Sequence, residues 1–248
     1  MASDIPRHRT LGTLLNSNRG VQALEIALVA LVAAVILALG RRVAGEGALA
    51  QQGVAWVANV AMLLTVWLGL RARGQGWAQL GLVAPGGGVR GALRLALQAL
   101  VVLVATILAF LLGAVLMANL VGPASGPDMG GYNFLAGNLP ALLASLLGVW
   151  VVSSFGEEVL YRGFLLRNLA AIGGGGRMAW RVAVVLGSMV FGLAHYAWGL
   201  AGMVQTAFMG LALGIAYQAL GRKLWVLVVA HGIMDTVLLL QMFLAAPA

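Results

Sequence analysis

Cysteine is absent from the sequence, so disulfides and thiolate metal sites are excluded. Charge is almost as scarce: Asp, Glu, Lys and Arg make up 9% of 248 residues, against roughly a quarter in a soluble domain. Acids are the rarer sign, seven against 15 cations. The chain therefore lacks the polar surface that a water-soluble fold requires. What it has instead is apolar: 62% of residues are hydrophobic and the mean hydropathy is +0.98. The apolar residues form long runs without strict alternation, which argues against an outer-membrane barrel. They predict an all-α fold, a polytopic bundle of transmembrane helices. Thirty-five glycines suit close helix contact in lipid. The formal net charge of +8 comes from cations clustered at the ends of apolar runs. That pattern reads as membrane orientation and argues against a nucleic-acid partner.

Seven spans are predicted, at about 21–40, 53–70, 92–121, 139–172, 179–198, 200–220 and 224–244. The first apolar run is longer than the ~7–15-residue core of a signal peptide, so it reads as a retained helix. Residues 1–20 form a polar, cytoplasmic N-terminal segment. Residues 21–121 carry membrane helices 1–3, and 139–244 hold a helix core of helices 4–7. The fourth span, 34 residues or ~51 Å long, exceeds a bilayer and must tilt, break or protrude. The Gly173–Gly176 run ends it, and 122–138 is a loop rich in Gly, Pro and Asn. With the N-terminus inside, twelve of the fifteen cations fall on the inner side: Arg7, Arg9, Arg19, Arg71, Arg73, Arg90, Arg94, Arg167, Arg177, Arg181, Arg222 and Lys223. Arg41 and Arg42 fall outside. The expected location is a cell inner or plasma membrane, with lipid as a standing partner.

Ten residues are acids or histidines. Asp4, His8, Glu25, Glu46 and Asp128 lie in termini, in loops or near a helix end. The other five, Glu157, Glu158, His195, His231 and Asp235, lie inside predicted spans, where each charge costs at least ~2.5–3.5 kcal/mol to insert. Five such groups in a chain so poor in charge mark a functional interior. Glu157 and His195 lie ~22 and ~24 Å along their helices from the same connecting turn, hence at similar depth. His231 and Asp235 are four apart and share one helix face. Glu158 and Arg162 are also four apart, with the acid first, and read as a supporting structural ion pair. Glu157 points elsewhere on the helix and is left to meet His195, His231 or water. A carboxylate beside two histidines suits activation of water, one group taking its proton and another steadying an oxyanion. Glu157, His195 and His231 also offer a ligand set for Zn²⁺ with an open position. The residues alone leave both chemistries open. Phe191, Tyr161 and Trp198 read as packing or interface residues, and Gly210 with Gly214 as a small-residue face that packs against a neighbouring helix.

Three patterns occur in order: Glu157-Glu158-Val-Leu-Tyr-Arg162, Phe191-Gly-Leu-Ala-His195 and His231-Gly-Ile-Met-Asp235. Together they resemble the EExxxR, FxxxH and HxxxN/D motifs of the CPBP family of intramembrane proteases. That family includes the type II CAAX prenyl endopeptidases and bacterial relatives linked to bacteriocin immunity. The resemblance covers roughly 139–244. It implies an intramembrane endopeptidase acting on a membrane-associated or lipid-modified protein, in some members a prenylated CAAX protein. By resemblance, Glu157 and His195 would activate the hydrolytic water, and His231 with residue 235 would stabilise the oxyanion. Position 235 is Asp where the prenyl-protein proteases have Asn, and an ionised Asp cannot donate to an oxyanion. Asp235 is then either protonated, an orienter of His231, or a metal ligand. Two other classes are consistent with buried Glu and His: a non-catalytic immunity or scaffold protein acting by partner binding, and a proton-coupled transporter. The transporter expects inverted repeats, which the sequence does not display.

Overall fold

The computed structural model describes residues 10–45, 47–122 and 126–245. The positions of Asp4, Arg7, His8, Arg9 and Glu46 lie outside these. Among the described residues every regular element is helical, and seven helices are long and apolar enough to cross a membrane.

The chain starts with a short helix within the segment expected to be merely polar, α1 (Leu11–Ser17). Thr10 caps it, its side-chain oxygen accepting from the Thr13 amide. Asn18 ends α1 and caps the next helix, accepting from the Val21 amide at 3.1 Å. α2 (Arg19–Ala44), α3 (Ala48–Ala72) and α4 (Gly88–Val121) follow, with a 3₁₀ turn at Trp77–Leu80 between the last two. The predicted spans at 21–40, 53–70 and 92–121 lie inside these helices and stop short of their ends, except at Val121, where span and helix end together. Polar and Gly residues at a membrane boundary lower hydropathy without interrupting backbone hydrogen bonding.

A second 3₁₀ turn, Gly130–Leu135, precedes α5 (Leu139–Gly148), which is capped by Asn138. The helix then changes winding. Val149–Leu165 runs as a π-helix before α6 (Leu166–Ile172) resumes the α form. The fourth span is therefore one continuous rod of 34 residues, Leu139–Ile172, that neither breaks nor ends early. It is wound more loosely over the stretch that holds both glutamates. π-turns of any length are rare and concentrate at functional sites. α7 (Arg177–Ala194), a 3₁₀ turn (Tyr196–Trp198), α8 (Gly199–Ala219) and α9 (Leu224–Leu244) complete the chain.

The span containing the π segment is the centre of the bundle. It packs against α2, α3, α7 and α9, while α8 lies against both α4 and α7. Val159, Phe191, Leu213, Leu224 and Leu227 form the buried core where these helices meet. α2 and α4 turn rows of large apolar side chains outward, Leu97, Val101, Leu108 and Leu112 among them, as helices bathed in lipid should. Glycines set the closest approaches. A Cβ on Gly192 of α7 would stand 2.5 Å from the Met203 carbonyl oxygen and 2.8 Å from the Ala207 Cβ of α8. Gly210 and Gly214 of α8 meet Phe191, Ser188 and Val184 of α7, so this small-residue face packs within the chain.

One acid outside the cavity is also paired. Glu25, near the start of α2, is buried and pairs with Arg73 beyond the end of α3, Nη1 to Oε1 at 2.6 Å. Arg73 also donates to the Leu15 carbonyl, as does Gln22, which fastens α1 to the bundle. The spacing of 48 residues between the partners gives no local sign of this pair.

Candidate active site

The π segment and α9 run antiparallel and are joined by polar contacts at successive turns. Trp150 Nε1 donates to Thr236 Oγ1 at 3.0 Å. Ser154 Oγ donates to Asp235 Oδ2 at 3.3 Å. Glu158 Oε1 lies 2.9 Å from His231 Nδ1. Residues 150, 154 and 158 thus face 236, 235 and 231 in turn, and Gly232 leaves room for the Trp150 ring, which a Cβ there would strike.

Glu158 is fully buried and has two partners. Arg162 Nη1 donates to Oε1 at 2.7 Å, as the i,i+4 spacing predicts. The same oxygen takes the His231 contact, so the pair is not a self-contained neutral unit on one helix. It holds a histidine of another. Arg162 is almost fully buried, and its guanidinium also lies 4.4 Å over the Phe191 ring, with Nη2 3.5 Å from the Gly210 carbonyl. A desolvated cation–π contact of this kind contributes about 2 kcal/mol.

Phe191 connects the parts. Its ring, fully buried, lies edge-on to Tyr161 at 5.0 Å and beside His195 at 4.8 Å and His231 at 6.2 Å. Its carbonyl oxygen lies 2.8 Å from His195 Nδ1. A carbonyl only accepts, so Nδ1 carries the proton and Nε2 of the neutral ring keeps its lone pair. The FxxxH spacing thus does two things: the ring braces Arg162, and the backbone fixes the His195 tautomer from one helical turn away. His195 itself is not inside a helix, as the 179–198 span predicted. It is the residue on which α7 ends, where the chain turns into Tyr196–Trp198.

Glu157, His195, His231 and Asp235 line one cavity of about 490 Å³. Glu157 is half-buried, and its neighbour Glu158 is turned into the core. Adjacent residues on one helix cannot share a direction, and this is what divides the two carboxylates between cavity and core. His231 presents Nε2 to Asp235 Oδ2 at 3.5 Å, so both of its ring nitrogens face carboxylate oxygens. The exposed residues Arg41, Asp128, Gly131, Tyr196 and Ala197 ring the cavity's outer part.

Two cavity residues carried no functional signal in the sequence. Tyr132, from the connection before α5, stands edge-on to Trp198 at 6.2 Å. Burial, reinforced by Asp235 and by Glu157, pushes its phenol up to about 12 despite a hydrogen bond with Trp198. The hydroxyl therefore keeps its proton at neutral pH. Trp198, taken from the sequence as packing, lies 4.9 Å from His195 and lines the cavity as well. Ser154 was also missed, although it stands four residues before Glu158 and so on the same helical row.

Among the described residues, no three His, Asp or Glu side chains gather in a way that could hold a metal ion. His195 and His231 each turn Nδ1 to a protein partner, Phe191 O and Glu158 Oε1.

Set beside known proteins, residues 139–237 match the family model of the Type II CAAX prenyl endopeptidase, Rce1-like. No curated protein and no solved structure matches the chain. The match covers the helix that carries Glu157 and Glu158, the turn that carries His195, and α9 through His231 and Asp235. The similarity to that endopeptidase family is confined to this helix core, residues 139–237 of 248.

Proposed function

We propose that the protein is an intramembrane endopeptidase that hydrolyses a peptide bond of a membrane-associated or lipid-modified protein with a water activated by Glu157 and His195. The observation that carries this reading is the shared cavity: a half-buried carboxylate, an imidazole with a free Nε2, and a second imidazole held between two carboxylates. In this reaction the water oxygen bonds to the scissile carbonyl carbon while Glu157 takes a water proton. His195 orients the water through Nε2. His231, doubly protonated, keeps Nδ1–H on Glu158 and turns Nε2–H, held only loosely by Asp235 at 3.5 Å, to the oxyanion of the tetrahedral intermediate. Collapse of that intermediate breaks the C–N bond, and the proton held by Glu157 passes to the leaving amine.

Asp235 acts here as the acceptor that orients His231, which suits an acid at the position where prenyl-protein proteases have Asn. The N-terminus lies in the cytoplasm and the protein resides in a cell's inner or plasma membrane.

The test is cleavage by the purified, full-length protein in detergent or liposomes, with trapped substrates from its native membrane identified by mass spectrometry. Glu157→Gln and His195→Ala should each lose at least ~10²-fold in rate with an unchanged melting temperature. Full activity in either variant sinks the hydrolytic reading. Glu157→Gln that retains its effect in cells would favour action by partner binding instead.

A further inference from the structure

The two ends of the bundle differ in what they hold. At one end, the Asp128 amide donates to the Trp198 carbonyl at 3.0 Å, the Gly137 amide donates to the Phe243 carbonyl at 3.0 Å, and Arg41 donates to the Tyr196 hydroxyl. These contacts join the α2–α3 turn, the α4–α5 connection, the α7–α8 turn and the end of α9. Every residue that rings the cavity mouth belongs to this end. At the other end, the Leu224 amide donates to the Gly81 carbonyl, Tyr217 Oη to the Leu80 carbonyl, and Arg167 to the Gln79 carbonyl.

Charge separates along the same axis. Among the described residues, the mouth end carries Arg41, Arg42 and Asp128, two cations and one acid. The opposite end carries Arg71 and Arg73 at the end of α3, Arg90 and Arg94 at the start of α4, Arg177 and Arg181 at the start of α7, and Arg222 and Lys223 before α9. Arg19 and Arg167 bring that total to ten, against Glu25, which is already paired with Arg73. Aromatic side chains mark both water boundaries. Arg222 stacks on Trp180 at 4.1 Å at the basic end, while Tyr196 and Trp198 sit at the mouth. Short connections rich in Lys and Arg stay on the cytoplasmic side, and a ten-to-two ratio over such connections fixes the orientation strongly.

We infer that the cavity opens on the extracytoplasmic face of the membrane and takes its substrate, a membrane-anchored protein or peptide segment, from that side. This rests on the hydrolytic reading of the cavity for the word substrate, but the direction of opening does not. A lipid-modified chain confined to the cytoplasm meets only the closed, basic end. The molecules with access to Glu157 are those whose cleavable segment lies outside.

The absence of cysteine makes the test direct, because one introduced thiol is the only thiol. Gly126 stands at the mouth end and Gly86 at the basic end, and a Cβ at either meets nothing within 4 Å. Spheroplasts expressing full-length Gly126→Cys or Gly86→Cys are treated with a membrane-impermeant maleimide, then lysed and denatured to titrate remaining thiols. Gly126→Cys should be blocked before lysis and Gly86→Cys only after it. Asn133→Cys and Ala78→Cys repeat the pair on independent positions, should either glycine variant fail to accumulate. Protection of the mouth-end thiols in intact spheroplasts overturns the inference, as does equal labelling of both ends. Labelling reads orientation without any cleavage, so failure of the hydrolytic reading would show separately, as full activity of Glu157→Gln.

Discussion

His231 Nδ1 and Glu158 Oε1 lie 2.9 Å apart, on helices 73 residues distant in sequence. Glu158 thereby links a buried arginine to a cavity histidine. The carboxylate that does not line the cavity decides how the histidine that does line it is turned.

Removing that carboxylate should cost stability first. Glu158→Ala leaves the Arg162 guanidinium buried without its partner, and breaking a buried pair in this way costs about 3–5 kcal/mol. The expected outcome is a lowered melting temperature and reduced accumulation in membranes, read by thermal unfolding in detergent. A double variant, Glu158→Leu with Arg162→Leu, should recover part of that loss without recovering activity, because His231 would still lack its Nδ1 acceptor.

Asp235→Asn separates orientation from charge. An amide oxygen still accepts from His231 Nε2 and from Ser154 Oγ, so the fold should be unchanged. Exchange of a charged for a neutral acceptor weakens the bond that orients His231 by about 1 kcal/mol, which predicts a rate within roughly tenfold of the parent. Asp235→Leu, with no acceptor, should lose more. Comparison of kcat for the two variants checks this; equal losses would remove the orienting role.

Crowding the α7–α8 contact should reach the site from a distance. Gly192→Val would press on the Met203 carbonyl oxygen and on Ala207, and overpacking of this kind costs about 1–3 kcal/mol. His195 lies three residues on, at the end of α7, so activity should fall further than the loss of stability explains. Gly12→Ala, pressing on the α3 end near Ala72, supplies a control that disturbs packing far from the cavity.

Treatment with a chelator should leave cleavage unchanged, and the purified protein should carry less than stoichiometric zinc by elemental analysis. Loss of activity on chelation, restored by added Zn²⁺, would return the carboxylate and histidines to a ligand role.

Much of the fold was legible because lipid imposes a simple rule. A backbone in hydrocarbon must satisfy its own hydrogen bonds, so long apolar runs become helices, and α9 (Leu224–Leu244) was readable to the residue. The candidate residues were legible for the complementary reason. Charge in a span is costly enough that Glu157, Glu158, His195, His231 and Asp235 stood out against the rest. Other features gave no such signal. Tyr132 lies in a connection of ordinary composition, where neither periodicity nor scarcity distinguishes one residue. Glu25 stands near a helix end without a local partner, since Arg73 is brought near only by the packing of α2 on α3. The π winding of Val149–Leu165 escaped too, because apolar periodicity over one span does not distinguish a wider helical turn from the usual one.

Composition and spacing by themselves determined the membrane class, the spans, the separation of charge between the two ends, and the short list of groups able to do chemistry. Those are local or summed quantities, set by transfer from water to lipid and by helical repeat. Only the tertiary structure decided which of two adjacent glutamates faces the cavity, that the other holds His231, and that His195 ends a helix with its Nδ1 on Phe191 O. Directions of this kind depend on how helices rotate about their own axes when packed. Rotation is fixed by side chains from distant parts of the chain meeting, here Gly232 under Trp150 and Gly192 against Met203.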